Sequence, residues 1–482
     1  MRLIQTGIFV LLVALGVSVP AAAQASGTLS GTIKIHDSRH DPYARNLDMA
    51  YPPNDRPDTP WGVYAGQYSQ GSTPPNGARQ LGKFITDGEA SVQVRARYIL
   101  VSICISTNSV PGCSYLRMVR ASADGDYSHS WSISAGIPTR ITIGVYPDYP
   151  NISGTYTPPG GVGHPPHNFR ITVPGNPIVM LGSQSRTTSL TGNKTIDVTL
   201  SASEVGNAFL TTAEVYAMHA AQTQPSSGSI LADMRNLNVY ANHSVTWAPL
   251  DSVVQLATGR ATKEPHTVAH ELGHIVNWRA FDLVNAPLTA DIYTACDPPL
   301  NPSPGWLQFT NECEKAAWAE GFANLHEGMW MWTRSALNPH IPREYDEARN
   351  MFDTPTRVGG ADLNTMVEPL DCPVLHGHKR GMCNAYAMWD IIDRPALPGG
   401  DDDTIDQAID LGHVIQVMRS YPRPCPTNGN RCVHELYNNG VLDNHGMNWR
   451  DYLHNHSLVF PGTLGALNNI TSINSLASST DG

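Results

Sequence analysis

The chain has 482 residues, is 41% hydrophobic and only 15% charged, and carries a formal net charge of −11. That length exceeds what one compact domain usually holds, so two folded units are expected. The acidic balance and the absence of any Lys/Arg run argue against nucleic acid or an anionic membrane surface as partner.

Residues 1–25 pass from Arg2 through the apolar stretch Gly7 to Val19 to the small-residue segment Pro20-Ala-Ala-Ala-Gln-Ala25. This is the order of a secretory signal peptide, with cleavage expected after Ala23 or Ala25. The apolar run is too short to span a bilayer comfortably, and no later segment is long or apolar enough to do so. The mature chain is therefore expected to be exported. Its eight cysteines fall into close couples: Cys104 with Cys113, Cys296 with Cys313, Cys372 with Cys383, and Cys425 with Cys432. In an exported chain such couples read as local disulfide staples, and the lack of any CxxC pair speaks against a structural zinc site.

From residue 27 to 203 apolar and polar residues alternate in short runs. Val92, Val94 and Ala96 alternate with Gln93, Arg95 and Arg97; Ile141, Ile143 and Val145 with Thr142 and Gly144; Ile196, Val198 and Leu200 with Asp197 and Thr199. A period of two marks half-buried strands, and the set predicts an N-terminal β-sandwich. Between two of these runs, Ala123-Asp-Gly-Asp-Tyr127 resembles the D-G-x-[FY] turn of carboxypeptidase-regulatory-like and other Ig-like modules.

The pattern changes at Ser203, an N-cap residue ahead of a predicted helix over Glu204 to Ala221. A short strand is predicted at Leu237-Asn-Val-Tyr-Ala241, with the part near Val239 a candidate sheet edge along which a peptide could pair. Helices then follow from near Pro265, over Glu312 to Thr333, around Asn384 to Ile392, and from Thr404 to Tyr421. Residues 204–470 thus read as a mainly helical unit, and residues 471–482 as a polar tail.

The chemistry concentrates in Thr267-Val-Ala-His-Glu-Leu-Gly-His-Ile-Val276. In this H-E-x-x-H pattern His270 and His274 lie one helical turn apart on one face and can grip one ion. Glu271 stands beside that face, placed to act as general base on water. A catalytic zinc requires a third protein ligand. The metzincin pattern would need Gly at 277 and His at 280, where this chain has Asn277 and Ala280. Downstream, Ala317-Trp-Ala-Glu-Gly-Phe-Ala-Asn324 resembles the E-G-[FW]-A-[DN] segment of gluzincin peptidases, with small residues around Glu320 that would allow close helix packing. The resemblance covers roughly Ser203 to Tyr421 in element order and rests in residues on HELGH and EGFAN.

That resemblance implies a zinc metallopeptidase acting on a protein or peptide substrate, with Zn2+ held by His270, His274 and Glu320. It implies Asn324 as the hydrogen-bond partner of a zinc-binding imidazole, in place of the family's usual Asp. Glu327 and Asp362 are rival third ligands. The connection from His274 to Glu320 is longer than in the best-known families, the excess lying in a Pro-rich loop that holds Cys296 and Cys313. A His or Tyr from the later helical region would stabilise the oxyanion: His378, with His376 and Tyr386 as alternatives. Surface histidines on a polar loop are the other reading of His376 and His378.

Gly399-Gly-Asp-Asp-Asp-Thr-Ile-Asp406 is a carboxylate cluster that could take Ca2+, although a helix-capping loop explains it as well. A function of another class is a non-catalytic adhesin or glycan-binding protein with a relic zinc site. The retained Glu271, which binding alone does not need, favours the enzyme.

Overall fold

The computed structural model describes residues 25–39, most of 92–280, 314–337, 381–392, 411–420, 449–462 and a few positions beyond. Strands β1 (Ala25–Asp37), β2 (Val92–Arg95), β3 (Leu100–Thr107), β4 (Tyr115–Arg120), β5 (Asp126–Ile133) and β6 (Pro138–Tyr146) come first. The shorter β7 (Asp148–Pro150), β8 (Thr155–Tyr156), β9 (His167–Thr172), β10 (Gly182–Thr187), β11 (Lys194–Thr195) and β12 (Val198–Leu200) follow.

One sheet is built around β1, which pairs with β11 and β12 in parallel and with β2 and β5 antiparallel. A second has the order β10-β6-β3-β4-β8. The alternation read at Ile141 and Ile143 recurs in β1 and β3, where Leu29, Ile33 and Ile35 and Ile103 and Ile105 enter the same buried cluster as those two residues. The turn between β4 and β5 uses Gly125 at φ +74°, a left-handed backbone that a side chain would strain. Ser122 Oγ accepts the Asp124 and Asp126 N–H groups there, and the Tyr127 hydroxyl reaches across to donate to the Ile196 carbonyl at 2.8 Å.

After residue 203 come helix α1 (Glu204–Ala221), strands β13 (Leu237–His243), β14 (Trp247–Leu250) and β15 (Val253–Ala257), and helices α2 (Arg260–Lys263) and α3 (Pro265–Ala280). Helices α4 (Glu314–Leu337), α5 (Gly381–Ile392), α6 (Leu411–Ser420) and α7 (Trp449–Val459) complete the described elements. Ser203 caps α1, its side chain accepting from the Gly206 N–H at 3.0 Å. The described residues form a multi-sheet structure of mixed α and β content.

The third sheet, β14-β15-β13-β9-β7, takes strands from both sides of residue 203, so the expected domain boundary is crossed by a continuous hydrogen-bonded ladder. It also corrects the expectation that the strand at Val239 is an edge. β13 is paired in parallel to β9 on one side and to β15 on the other, with Leu237, Val239 and Ala241 buried. One flanking strand, β9, comes from a stretch of chain far upstream, which no local pattern announces. The outer strand on that side is β14, antiparallel to β15.

Cys104 and Cys113 form the expected disulfide. Cys383 is also disulfide-bonded, to a residue outside the described set. Cys296, Cys313, Cys372, Cys425 and Cys432 lie outside it, as do His376, His378, Asp362 and the Gly399 to Asp406 cluster. No described helix is long and apolar enough to cross a membrane.

Candidate metal centre

Helix α3 starts at Pro265, whose missing N–H costs nothing in a first turn. Just before it, the carboxylate of Glu204, the first residue of α1, accepts from the Ala261 N–H at 2.6 Å and the Thr262 N–H at 3.1 Å. This ties the approach to α3 onto α1. Val268, Ala269, Leu272, Ile275 and Val276 are fully buried, an apolar stripe at helical spacing that seats α3 on the core. His270 and His274 project from another face, where α4 packs.

On α4, Trp318, Phe322 and Leu325 are fully buried and orient the helix. Glu320 and Glu327, two turns apart, then face α3. Gly273 lies against Ala323, which lets the two backbones come close. The structure thereby brings His270, His274 and Glu320 together, with one ligand atom from each within 4.8 Å of the others. Glu320 Oε2 is 3.3 Å from His270 Nε2 and Glu320 Oε1 is 3.7 Å from His274 Nε2, so both imidazoles turn the same nitrogen toward one carboxylate. The two rings stand edge to face with centroids 4.8 Å apart. Two imidazole nitrogens and a carboxylate oxygen converging in a half-buried recess can hold a divalent cation.

Glu327, weighed above as a rival ligand, sits on the far side of His270, with Oε2 3.3 Å from Nδ1. Its Oε1 lies 3.9 Å from His266 Nε2. Asn324 is buried on α4 but makes no hydrogen bond to either imidazole, so the partner expected at Asn324 is found at Glu327 instead. Tyr386 falls within α5. The sequence signal for His266 and Glu327 is their spacing: His266, His270 and His274 at successive turns of one helix, Glu320 and Glu327 at seven apart on the other.

The electrostatics follow from burial and these contacts. Burial alone would lower the His270 pKa, but hydrogen bonds with Glu320 and Glu327 outweigh it and hold it well above an ordinary imidazole. Burial lowers His274 to about 4 despite the Glu320 charge, which keeps it a neutral donor. Burial pushes the Glu271 carboxyl up to about 7, His270 opposing and Glu320 reinforcing the shift. Burial would raise Glu327 too, but His266 and His270 prevail and leave it lowered.

Beneath the site lies a second buried pair that the sequence does not announce. His326 Nδ1 is 2.7 Å from the Ala269 carbonyl, and its Nε2 is 2.7 Å from His219 Nε2 on α1. The pair links α1, α3 and α4 directly behind the His270 turn.

The chain matches no protein-family model, and neither a curated protein nor a solved structure matches it.

Proposed function

We propose that this chain is an exported zinc-dependent peptidase, a β-sandwich followed by a mainly helical gluzincin-like unit, that hydrolyses peptide bonds in proteins. The observation that carries the reading is the convergence of His270, His274 and Glu320 with Glu271 beside them on the same helix. The donor set fits: two imidazoles and one carboxylate are a known three-ligand set for catalytic zinc, which leaves a position open. His270 and His274 would hold the ion through Nε2, and Glu320 through its carboxylate. When bound, zinc supplies Lewis-acid polarisation and acidifies water.

The remaining work falls to the chain's own groups. Glu271, with a pKa of about 7, accepts the water proton on its carboxylate and returns it to the leaving amine. A group poised near neutrality serves both halves of that transfer. Glu271 is only 8% exposed, so its proton is not readily lost to bulk water between the two steps. An extended substrate would pair its backbone along β14, the outer strand beside α3. His378 is assigned to the oxyanion, with His376 and Tyr386 as alternatives.

Digestion of casein by the purified chain, with and without a chelator, tests the reading. Cleavage should stop with chelator and return on adding Zn2+. Chelator-resistant cleavage, or none from zinc-loaded protein, rejects it, and the second result leaves a binding protein.

A further inference from the structure

We infer that Glu327 is the positioning residue of the metal centre, its carboxylate clamping His270 from behind so that the ligand nitrogen faces the ion. The inference rests on the metallopeptidase reading and extends it to a residue outside both sequence motifs.

The geometry is two-sided. Glu320 Oε2 stands 3.3 Å from His270 Nε2, and Glu327 Oε2 stands 3.3 Å from His270 Nδ1, on opposite edges of one ring. A carboxylate can only accept, so Nδ1 carries a hydrogen toward Glu327 and Nε2 one toward Glu320, and a cation would take the place of the Nε2 hydrogen while the Glu327 contact remains. With a cation at Nε2, the Glu327 contact at Nδ1 would be the one that holds the ring orientation. Glu327 is 4% exposed and its other oxygen faces His266 Nε2 at 3.9 Å, one turn before His270 on the same helix. Among the described residues no second carboxylate reaches His274, so the orienting charge acts on His270 alone.

Glu327→Gln and Glu327→Ala, made in the full chain and compared with Glu320→Ala, provide the test. Zn2+ affinity is read by chelator competition, and the absorption spectrum of Co2+-loaded protein reports the ligand set. A positioning role predicts that Glu327→Ala weakens Zn2+ binding about 10–100-fold, with the spectrum at Co2+ saturation unchanged. The Gln variant, which retains an acceptor of the same shape, should fall between and guards against a folding defect. Unchanged Zn2+ affinity in Glu327→Ala overturns the inference. So does a saturated Co2+ spectrum altered as in Glu320→Ala, which makes Glu327 a ligand. If the unmodified chain binds neither ion, the metal centre itself fails, and that result is distinguishable from the other two.

Discussion

Gly273 and Ala323 meet where α3 packs on α4, so closely that a Cβ on Gly273 would stand 2.9 Å from Ala323 Cα and 3.0 Å from His326 Cβ. The glycine of HELGH therefore has a packing reason: it sets the separation at which Glu320 reaches both imidazoles. Gly273→Ala would gain roughly 1 kcal/mol of helix propensity and lose about 1–3 kcal/mol to overpacking. The obstructing atom belongs to backbone, which cannot rotate away, so the net is destabilising. Both the thermal midpoint and the Zn2+ affinity should fall, the second because α4 must retreat with Glu320. A variant as stable and as metal-avid as the parent would show that the helices have room to spare.

Glu271 lies next to the candidate metal ligands His270 and His274 in sequence and is not in the group that could hold an ion. Glu271→Gln should keep Zn2+ at the parent level and lose hydrolysis by about 100-fold or more, the scale of a lost general base. Metal content and casein turnover are measured on the same preparation. Retained turnover would remove the proposed proton acceptor.

What the sequence made legible was local. Ser203 and Pro265 announce helix starts through capping chemistry, and the H-E-x-x-H spacing places two imidazoles on one face whatever α3 packs against. Partners distant in sequence were not legible. β9 (His167–Thr172) lies far upstream of β13, and only its pairing there, opposite β15, shows that β13 is interior. Glu327 was visible as a carboxylate on the right face, but the crossing of α3 and α4 decides that it meets Nδ1 rather than Nε2. His219 and His326 are 107 residues apart, with no local signal joining them.

A buried ion cluster should prove costly to break. Arg39, at 0% exposure, donates from Nη2 to Asp37 and Glu214 at 2.7 Å each, and from Nη1 to Thr211 at 2.9 Å. Trp330 Nε1 donates to the same Glu214 at 3.1 Å, so the end of β1 is bound through α1 to α4. Arg39→Met leaves two carboxylates facing each other away from water, a loss of about 3–5 kcal/mol. Urea denaturation reads it. Adding Asp37→Asn and Glu214→Gln should recover part of the loss, because the unpaired charges dominate it. A single variant within about 0.5 kcal/mol of the parent would contradict the cluster's role.

The His219–His326 pair predicts a pH dependence with a definite sign. His326 donates Nδ1–H to the Ala269 carbonyl, so in the neutral pair its Nε2 accepts from His219 Nε2–H. Protonating His326 sets two N–H groups against each other at 2.7 Å. Burial, the largest cause, lowers His326 to about 4, against the Ala269 hydrogen bond, and lowers His219 well below an ordinary imidazole, with His326 adding to the effect. Both folded-state values lie below the unfolded one, so the unfolded chain binds more protons between about pH 6.5 and 4. The stabilisation is present above that window and lost as pH falls through it. His326 alone accounts for about 3 kcal/mol across the window, some 2 kcal/mol of it gone by about pH 5. Urea midpoints of chelator-treated protein at about pH 7 and pH 5 isolate the effect from metal loss. His219→Gln, whose amide can still donate to His326 Nε2, should lose less stability over that interval than the parent. Equal losses in the two proteins would show that the pair does not titrate as its burial requires.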